Sequence, residues 1–235
     1  MSKFTWFTGR GPALTQQQLQ RRAALSTPAA FDERPLHQQR FVVLDLETTG
    51  LNMRRDQVLA IGAVVIDNGA IDFAEQFECT LHRPDHQASA STLIHGIAPS
   101  AVARGVEPAE ALLDFMEFVG NSPLLAFHAE FDQRMLARAL RQSLGYRLQH
   151  HFFDVAEIAP LLCPQSRIRQ GGLDEWVAEF GLQVHQRHNA SADALVTAEL
   201  ALMLFSKARR QGIDSLVELD RQLTSRRRRQ HAMSL

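Results

Sequence analysis

Two carboxylates end an otherwise apolar stretch of the sequence, FVVLDLETTG at residues 41–50. Phe41 to Leu44 have the composition of a buried β-strand, and Asp45 and Glu47 follow directly. Side chains at positions i and i+2 of a strand share a face, so the two acids point the same way. Like charges this close stay ionised together only where a cation neutralises them. Because oxygen-only ligands favour Mg²⁺ or Mn²⁺ over zinc, the pair predicts a divalent-metal site.

Two further acids and one histidine are candidates for the same site. Asp132, in LLAFHAEFD, follows a short predicted strand and starts a helix, where complementing the helix dipole is an alternative role. Asp193, in RHNASAD, lies in the first turn of another predicted helix. His188 precedes it by five residues, which would be about 500° of helical rotation, so we place His188 in the preceding loop. A loop histidine beside clustered acids is a candidate general base.

The pattern of strands and helices shows how these residues could meet. Strands predicted at 58–66 and 71–81 flank Asn68-Gly69, a strong hairpin signal, so the first three strands pair antiparallel. Helices and short strands then alternate up to a long helix at about 191–210. This order predicts an α/β fold, with a mixed sheet covered by helices on both faces. The acids would lie at the carboxyl ends of strands, where open α/β sheets bind ligands.

The two ends of the chain differ from the middle. Residues 1–38 are rich in Gln and Arg with sparse leucines, and form either a docked amphipathic helix or a mobile arm. Residues 39–212 carry all the motifs and form the main domain. Residues 213–235 are predicted to form a short helix and a basic tail. The four consecutive arginines of that tail are more typical of a solvated segment than of a nucleic-acid contact.

Composition excludes several classes of protein. The chain has 235 residues, of which 45% are hydrophobic and 22% charged, with a net charge of −1. This balance is typical of a globular protein and not of a uniformly basic nucleic-acid-binding chain. No apolar run reaches the roughly 18 residues of a membrane span, and no secretion signal is recognisable. With only Cys79 and Cys163, a disulfide framework is not expected, so we predict a cytoplasmic protein.

Three motifs occur in the order found in the DEDDh family of 3′→5′ exonucleases. LDLETTGL resembles the first motif, FHAEFD the second and RHNASADA the third. LIHGI at residues 93–97 and the LDEWVAEFGL segment are also similar to one branch, that of the proofreading (epsilon) subunit of bacterial DNA polymerase III. The resemblance covers about residues 40–212. It implies a ribonuclease H-like fold with a mixed five-stranded sheet and helices on both faces.

The resemblance also implies a mechanism. The four acids would hold two divalent cations, Mg²⁺ or Mn²⁺, and His188 would act as general base. Hydrolysis would release nucleoside 5′-monophosphates from the 3′ ends of a nucleic acid, with single-stranded DNA favoured. The terminal nucleotide would be bound by Thr48, His95 and Phe131, although core packing is an equal alternative for Phe131. The residues with expected metal or catalytic roles are Asp45, Glu47, Asp132, His188 and Asp193.

The sequence departs from the family pattern in three places. Phe127-His128 replaces the usual His-Asn of the second motif, and Leu46 replaces a threonine between the first two acids. The long polymerase-binding tail of the proofreading subunit is not matched, which leaves association with a polymerase open. Two other functions compete. One is an RNA-trimming exoribonuclease of the same family, and the other is a non-catalytic nucleic-acid-binding module, which retention of all five site residues disfavours.

Overall fold

A single mixed sheet forms the centre of the protein. The computed structural model describes residues 13–88, 90–168, 171–184 and 187–233. The strands are β1 (Phe41–Thr48), β2 (Val58–Asp67), β3 (Ala70–Thr80), β4 (Leu124–Ala126) and β5 (Phe152–Asp154), in the order β3-β2-β1-β4-β5. β1, β2 and β3 pair antiparallel, whereas β4 and β5 run parallel to β1. The carboxyl ends of β1, β4 and β5 therefore lie at one edge, and the predicted mixed five-stranded sheet is confirmed.

Helices cover both faces of this sheet. They are α1 (Gln16–Ala24), α2 (Ala90–His95), α3 (Pro99–Val102), α4 (Pro108–Val119), α5 (Ala129–Leu144), α6 (Val155–Leu162), α7 (Leu173–Glu179), α8 (Ala190–Arg210) and α9 (Leu216–Met233). Phe41 and Val43 pack in one core with α6 to α9, and Val42 and Leu44 pack in a second core with α4 and α5. None of the described helices is long and apolar enough to cross a membrane.

The hairpin between β2 and β3 forms at the predicted dipeptide. Asn68 has φ of 48° and Gly69 has φ of 74°, so both residues adopt the left-handed conformation. A two-residue hairpin turn of type I′ requires this conformation at both positions, and Asn-Gly supplies it at low cost. The turn thus fixes the antiparallel start of the fold.

The segment before β1 contains a docked helix. Thr15 caps α1 by a capping box with Gln18. Arg21 of α1 then forms ion pairs with three acids of α4, at 2.6 Å, 2.5 Å and 2.7 Å, namely Glu110, Asp114 and Glu117. Of the two predicted alternatives for residues 1–38, the docked helix is therefore observed at residues 16–24. Residues 1–12 lie outside the described part.

The prediction of a short C-terminal helix followed by a basic tail is wrong for the described residues. The four arginines lie within α9, a helix of 18 residues. Leu216, Leu219 and Leu223 recur at helical spacing and are buried in the core shared with α6 and α8. This apolar stripe anchors the helix, and the ion pair between Arg227 and Glu157 of α6 extends the contact at 2.5 Å.

Helix α8 approaches the sheet at a glycine. Gly62 of β2 pairs with Asp45 of β1, and a Cβ atom at Gly62 would overlap the backbone of Ala190 and Ser191. Only a residue without a side chain lets the first turn of α8 lie directly on β2. This contact places the start of α8 beside the carboxyl end of β1.

We expect Gly62→Ala to lower the free energy of unfolding by about 2–3 kcal/mol, because the added methyl group displaces the backbone of α8. Chemical denaturation measures the change. Gly172→Ala is the matched control, since nothing lies within 4 Å of a Cβ atom there. The control is expected to cost less than about 1 kcal/mol. Equal costs for the two variants would contradict the close approach as the cause.

Candidate active site

Three carboxylates converge where β1 meets the start of α8. Asp45, Glu47 and Asp193 each offer a carboxylate oxygen, and these three oxygens lie within 4.8 Å of one another. The alternation of β1 turns Asp45 and Glu47 toward α8, and Asp193 lies in the first turn of that helix. An all-carboxylate set of oxygens fits a hard divalent cation such as Mg²⁺ or Mn²⁺. The group can therefore bind a metal.

Asp132 lies next to this group but is not part of the trio. It is 4% exposed in the first turn of α5, and the nearby backbone N–H of Leu46 lowers the pKa of its carboxyl group, against the larger effect of burial. Leu46 lies between Asp45 and Glu47, beyond the residues of β1 that pair with β4. Asp132 therefore lies beside the strand that carries the first two acids.

The acids repel one another as their spacing predicts. Burial raises the pKa of Glu47 to about 7, with the charge of Asp193 adding to the rise. Burial raises the pKa of Asp45 well above its usual range, and the nearby charges of Asp132, Glu47 and Asp193 raise it further. The pKa of Asp132 is likewise raised by burial and by neighbouring carboxylates. A bound cation would reverse these shifts by favouring the charged forms.

Arg187 is a neighbour that the sequence reasoning missed. Its guanidinium forms ion pairs with Asp193 and, at 2.5 Å, with Asp174 of α7. The positive charge lowers the pKa of both Asp45 and Glu47, against the larger effect of burial. Arg187 thus compensates part of the negative charge in the protein without metal. Arg187 begins the RHNASAD segment, but its role was not predicted, because its acidic partners come from two different helices.

His188 lies in the loop before α8, as predicted. Its φ of 59° is left-handed, and its side chain is exposed. The backbone N–H of His188 donates to Oδ2 of Asp193 at 3.0 Å. The side chain of Asn189 accepts from the N–H of Ala192 and so caps the helix. The loop therefore orients Asp193 with backbone groups and leaves the imidazole at the surface beside it.

A second supporting acid, Asp154, was also missed. It ends β5, and its Oδ1 accepts backbone N–H groups of His128 and Ala156, each at 2.9 Å. His128 has φ of 60°, a conformation in which histidine is enriched among non-glycine residues, and α5 starts directly after it. Asp154 therefore fixes the turn that delivers Asp132. An acid directly after the apolar pair Phe152-Phe153 was the available sequence signal, as at Asp45.

The three predicted nucleotide-binding residues occupy different environments. Thr48 is buried, and its hydroxyl donates to the carbonyl of Gly50 at 2.9 Å. His95 is 8% exposed at the end of α2; its Nδ1 accepts from the N–H of Ile97, and its Nε2 has no hydrogen-bond partner among the described residues. Phe131 is half-buried and packs against the core with α4 and α5. Thr48 thus shapes the turn after β1, and the nucleotide contacts stay predictions.

Comparison with known protein families shows the family to which the chain belongs. The family model RNase_T, described as an exonuclease family, matches residues 42–201. The chain belongs to this family. The match contains all of the predicted site residues, and it confirms the family predicted from the three motifs.

Proteins with similar sequences are much longer than this chain. DNA polymerase III PolC-type of Thermotoga petrophila is 33% identical over 181 residues, which cover 77% of this chain and 13% of that protein. The corresponding protein of Oceanobacillus iheyensis is 31% identical over 196 residues, 82% of this chain and 13% of its own length. The chain therefore corresponds to about one eighth of these relatives.

Solved structures confirm the fold. Exonuclease I of E. coli in complex with a dA16 oligonucleotide has a TM-score of 0.62 at 18% identity, over 74% of this chain and 42% of that one. Cell-death related nuclease 4 has a TM-score of 0.63 at 12% identity, over 72% of this chain and 64% of that one. The α/β ribonuclease H-like architecture predicted from the sequence is thus confirmed.

We expect Glu47→Gln to stabilise the metal-free protein at pH 8. The pKa of Glu47 rises from 4.5 to about 7 on folding, so its ionisation destabilises the fold increasingly between these pH values and fully above them. Glutamine avoids this cost, which is on the order of 1–2 kcal/mol after solvent screening. Thermal unfolding in EDTA measures the difference, which should vanish at pH 4.

Saturating Mn²⁺ should reverse the order at pH 8, because the glutamine variant loses a charged ligand and gains less stability from the metal. Glu179→Gln, at an exposed position of α7, is the matched control and should change stability by less than about 0.5 kcal/mol in each condition. A glutamine variant that is less stable than wild type without metal would contradict the repulsion.

Proposed function

We propose that the chain is a metal-dependent 3′→5′ exonuclease that releases nucleoside 5′-monophosphates from single-stranded DNA ends. The observation that carries this proposal is the convergence of Asp45, Glu47 and Asp193 within 4.8 Å, in a chain of the exonuclease family. Three carboxylates this close and partly buried are costly for a fold, so they are best explained by the cation that they can bind. Hydrolysis of a phosphodiester is the chemistry that such a site serves.

The metal ligands that we propose are Asp45, Glu47, Asp132 and Asp193, holding two Mg²⁺ or Mn²⁺ ions. When bound, such ions provide a nucleophilic water at neutral pH and stabilise the charge that develops on phosphoryl oxygens. The contribution of the chain is to fix the ligands before the metal arrives. Asp132 is buried in the first turn of α5, and Asp193 is held by the N–H of His188 and by Arg187.

His188 is the general base in this proposal. An imidazole can accept a proton and release it again, and histidine is the side chain most often used as a general base. Two features support the role. The backbone N–H of His188 contacts Asp193, which brings the residue to the acids, and its side chain is exposed.

The choice of substrate rests on similar proteins. Exonuclease I, which shares the fold, has been solved with dA16 and dT13 oligonucleotides, and this supports single-stranded DNA for the present chain. The similarity to DNA polymerase III PolC-type proteins supports a role at DNA ends. The chain spans 13% of the length of those relatives, and association with a polymerase is left open, as it was by the sequence.

We expect His188→Asn to reduce turnover on a single-stranded DNA oligonucleotide by 10²–10⁴-fold, because the proton acceptor is lost. Asparagine tolerates the left-handed backbone of this position, so the loop is retained. Calorimetric affinity for Mn²⁺ should stay within about twofold of wild type.

His128→Asn is the matched control, since His128 is also exposed and left-handed. Its turnover should stay within about threefold of wild type. A parallel loss of Mn²⁺ affinity and turnover in His188→Asn would assign His188 to the metal site instead of to proton transfer.

The function itself is tested with oligonucleotides of one sequence, labelled at the 5′ end, as single-stranded DNA, duplex DNA and single-stranded RNA. With Mn²⁺ we expect stepwise shortening from the 3′ end and nucleoside 5′-monophosphate products, fastest on single-stranded DNA. Faster turnover of RNA would establish the RNA-trimming alternative. No product from any substrate would contradict the proposal and favour a non-catalytic binding module.

A further inference from the structure

Arginines are concentrated in one cleft on the outer face of α5. The cleft has a volume of about 680 Å³, and no acidic residue lines it in the part of the chain that the structure describes. Its lining contains five arginines: Arg54, Arg134, Arg138, Arg141 and Arg147. The whole chain has a net charge of −1, so this accumulation of positive charge is local.

Three segments bring these arginines together. Arg134, Arg138 and Arg141 are spaced by four and three residues, which places them on one face of α5. Arg54 comes from the loop between β1 and β2, and Arg147 follows the end of the helix. The guanidinium of Arg138 donates to the backbone carbonyl of Met53 at 3.1 Å and so ties the loop to the helix. The cleft is therefore built by fixed elements.

The positive charge in the cleft is largely uncompensated within the protein. Arg134 pairs with Glu130 one turn earlier on α5. The other four guanidinium groups form no ion pair with residues that the structure describes, and arginine stays protonated at every physiological pH. Since like charges repel, gathering them costs free energy that a bound polyanion would recover.

The cleft and the carboxylate cluster are connected by two shared elements, α5 and the loop after β1. Asp132 lies in the first turn of α5, whose opposite face carries Arg134, Arg138 and Arg141. The loop that carries Arg54 starts directly after Glu47 and Thr48. From Asp132 to Arg141 the helix rises by about 13.5 Å. A stacked strand advances about 3.4 Å per phosphate, so this length corresponds to about four phosphates.

From these observations we infer that the cleft binds the phosphate backbone of the nucleic-acid strand whose 3′ end lies at the carboxylates. This inference deepens the proposed function and rests on it. Planar guanidinium groups bind phosphate oxygens in a bidentate manner without reading the base, so the cleft would hold the strand independently of its sequence. Its role would be to keep a long substrate attached between successive cleavage steps.

The test measures binding of a fluorescently labelled 12-nucleotide single-stranded DNA by anisotropy, in EDTA so that no hydrolysis occurs. Arg141→Ala/Arg147→Ala removes two exposed arginines far along the cleft from Asp132. Each lost contact should reduce the slope of log K against log salt concentration by about 0.7, so the double variant should lose about 1.4. At low salt we expect a loss of affinity of about tenfold or more.

Arg209→Ala/Arg210→Ala removes the same charge at the far end of α8, about 25 Å along the helix from Asp193, and is the matched control. Its affinity and salt slope should equal those of wild type. An unchanged slope in the cleft variant, or an equal loss in the control, would overturn the inference.

Hydrolysis of a dinucleotide, which is too short to reach Arg141, separates the inference from the proposed function. Turnover of this substrate by the cleft variant should match wild type. Because binding is measured without metal, absence of dinucleotide hydrolysis by wild type would contradict the proposed function, whereas an unchanged salt slope would contradict the cleft alone.

Discussion

Repulsion between buried carboxylates is the constraint around which this protein is organised. Asp45 and Glu47 share a face of β1, and Asp193 approaches them from α8. Burial and mutual charge raise the pKa of Glu47 to about 7 and that of Asp45 well above its usual range, so the cluster opposes its own assembly. Packing elsewhere must overcome this opposition, since Arg187 compensates only part of the negative charge when no metal ion is bound.

Two contacts hold the acids in place. The missing side chain at Gly62 lets α8 lie on β2, and the N–H of His188 donates to Asp193. Both contacts involve backbone groups, whose positions the sheet and the start of α8 determine. The site is therefore ordered before any ligand binds, which is the condition under which binding free energy is not spent on rearrangement.

Most of the fold was predictable from the sequence, because the local turn, strand and helix signals agree with the tertiary structure. Asn68-Gly69 specified the hairpin, and the period-2 and helical patterns specified the strands and helices around it. The predicted C-terminal helix is too short, because four consecutive arginines indicated a solvated tail whereas Leu216, Leu219 and Leu223 continue the helical spacing of apolar residues. At the C-terminus, the spacing of apolar residues predicts the extent of the helix better than the run of charges does.

Site residues were predictable where a motif carries them and not where the fold assembles them. Asp45, Glu47 and Asp193 stand in short motifs, and the structure brings them together. Arg187 stands in the third motif, but its role was not predicted, because its partners Asp174 and Asp193 come from different helices. The arginine cleft was likewise invisible, since it combines three separate segments. Only tertiary packing decides which charges meet across such distances.

Because α1 docks on α4, the folded unit of this chain includes residues that precede the family match. Without Arg21, the acids Glu110, Asp114 and Glu117 would line one face of α4 as unneutralised like charges. Arg22 extends the same attachment to the carbonyl of Leu144, at the end of α5. The family match begins at residue 42, whereas the helix that neutralises these acids is capped by Thr15 and begins at Gln16. A fragment that starts at residue 42 would therefore lack these ion pairs and be less stable than the longer chain.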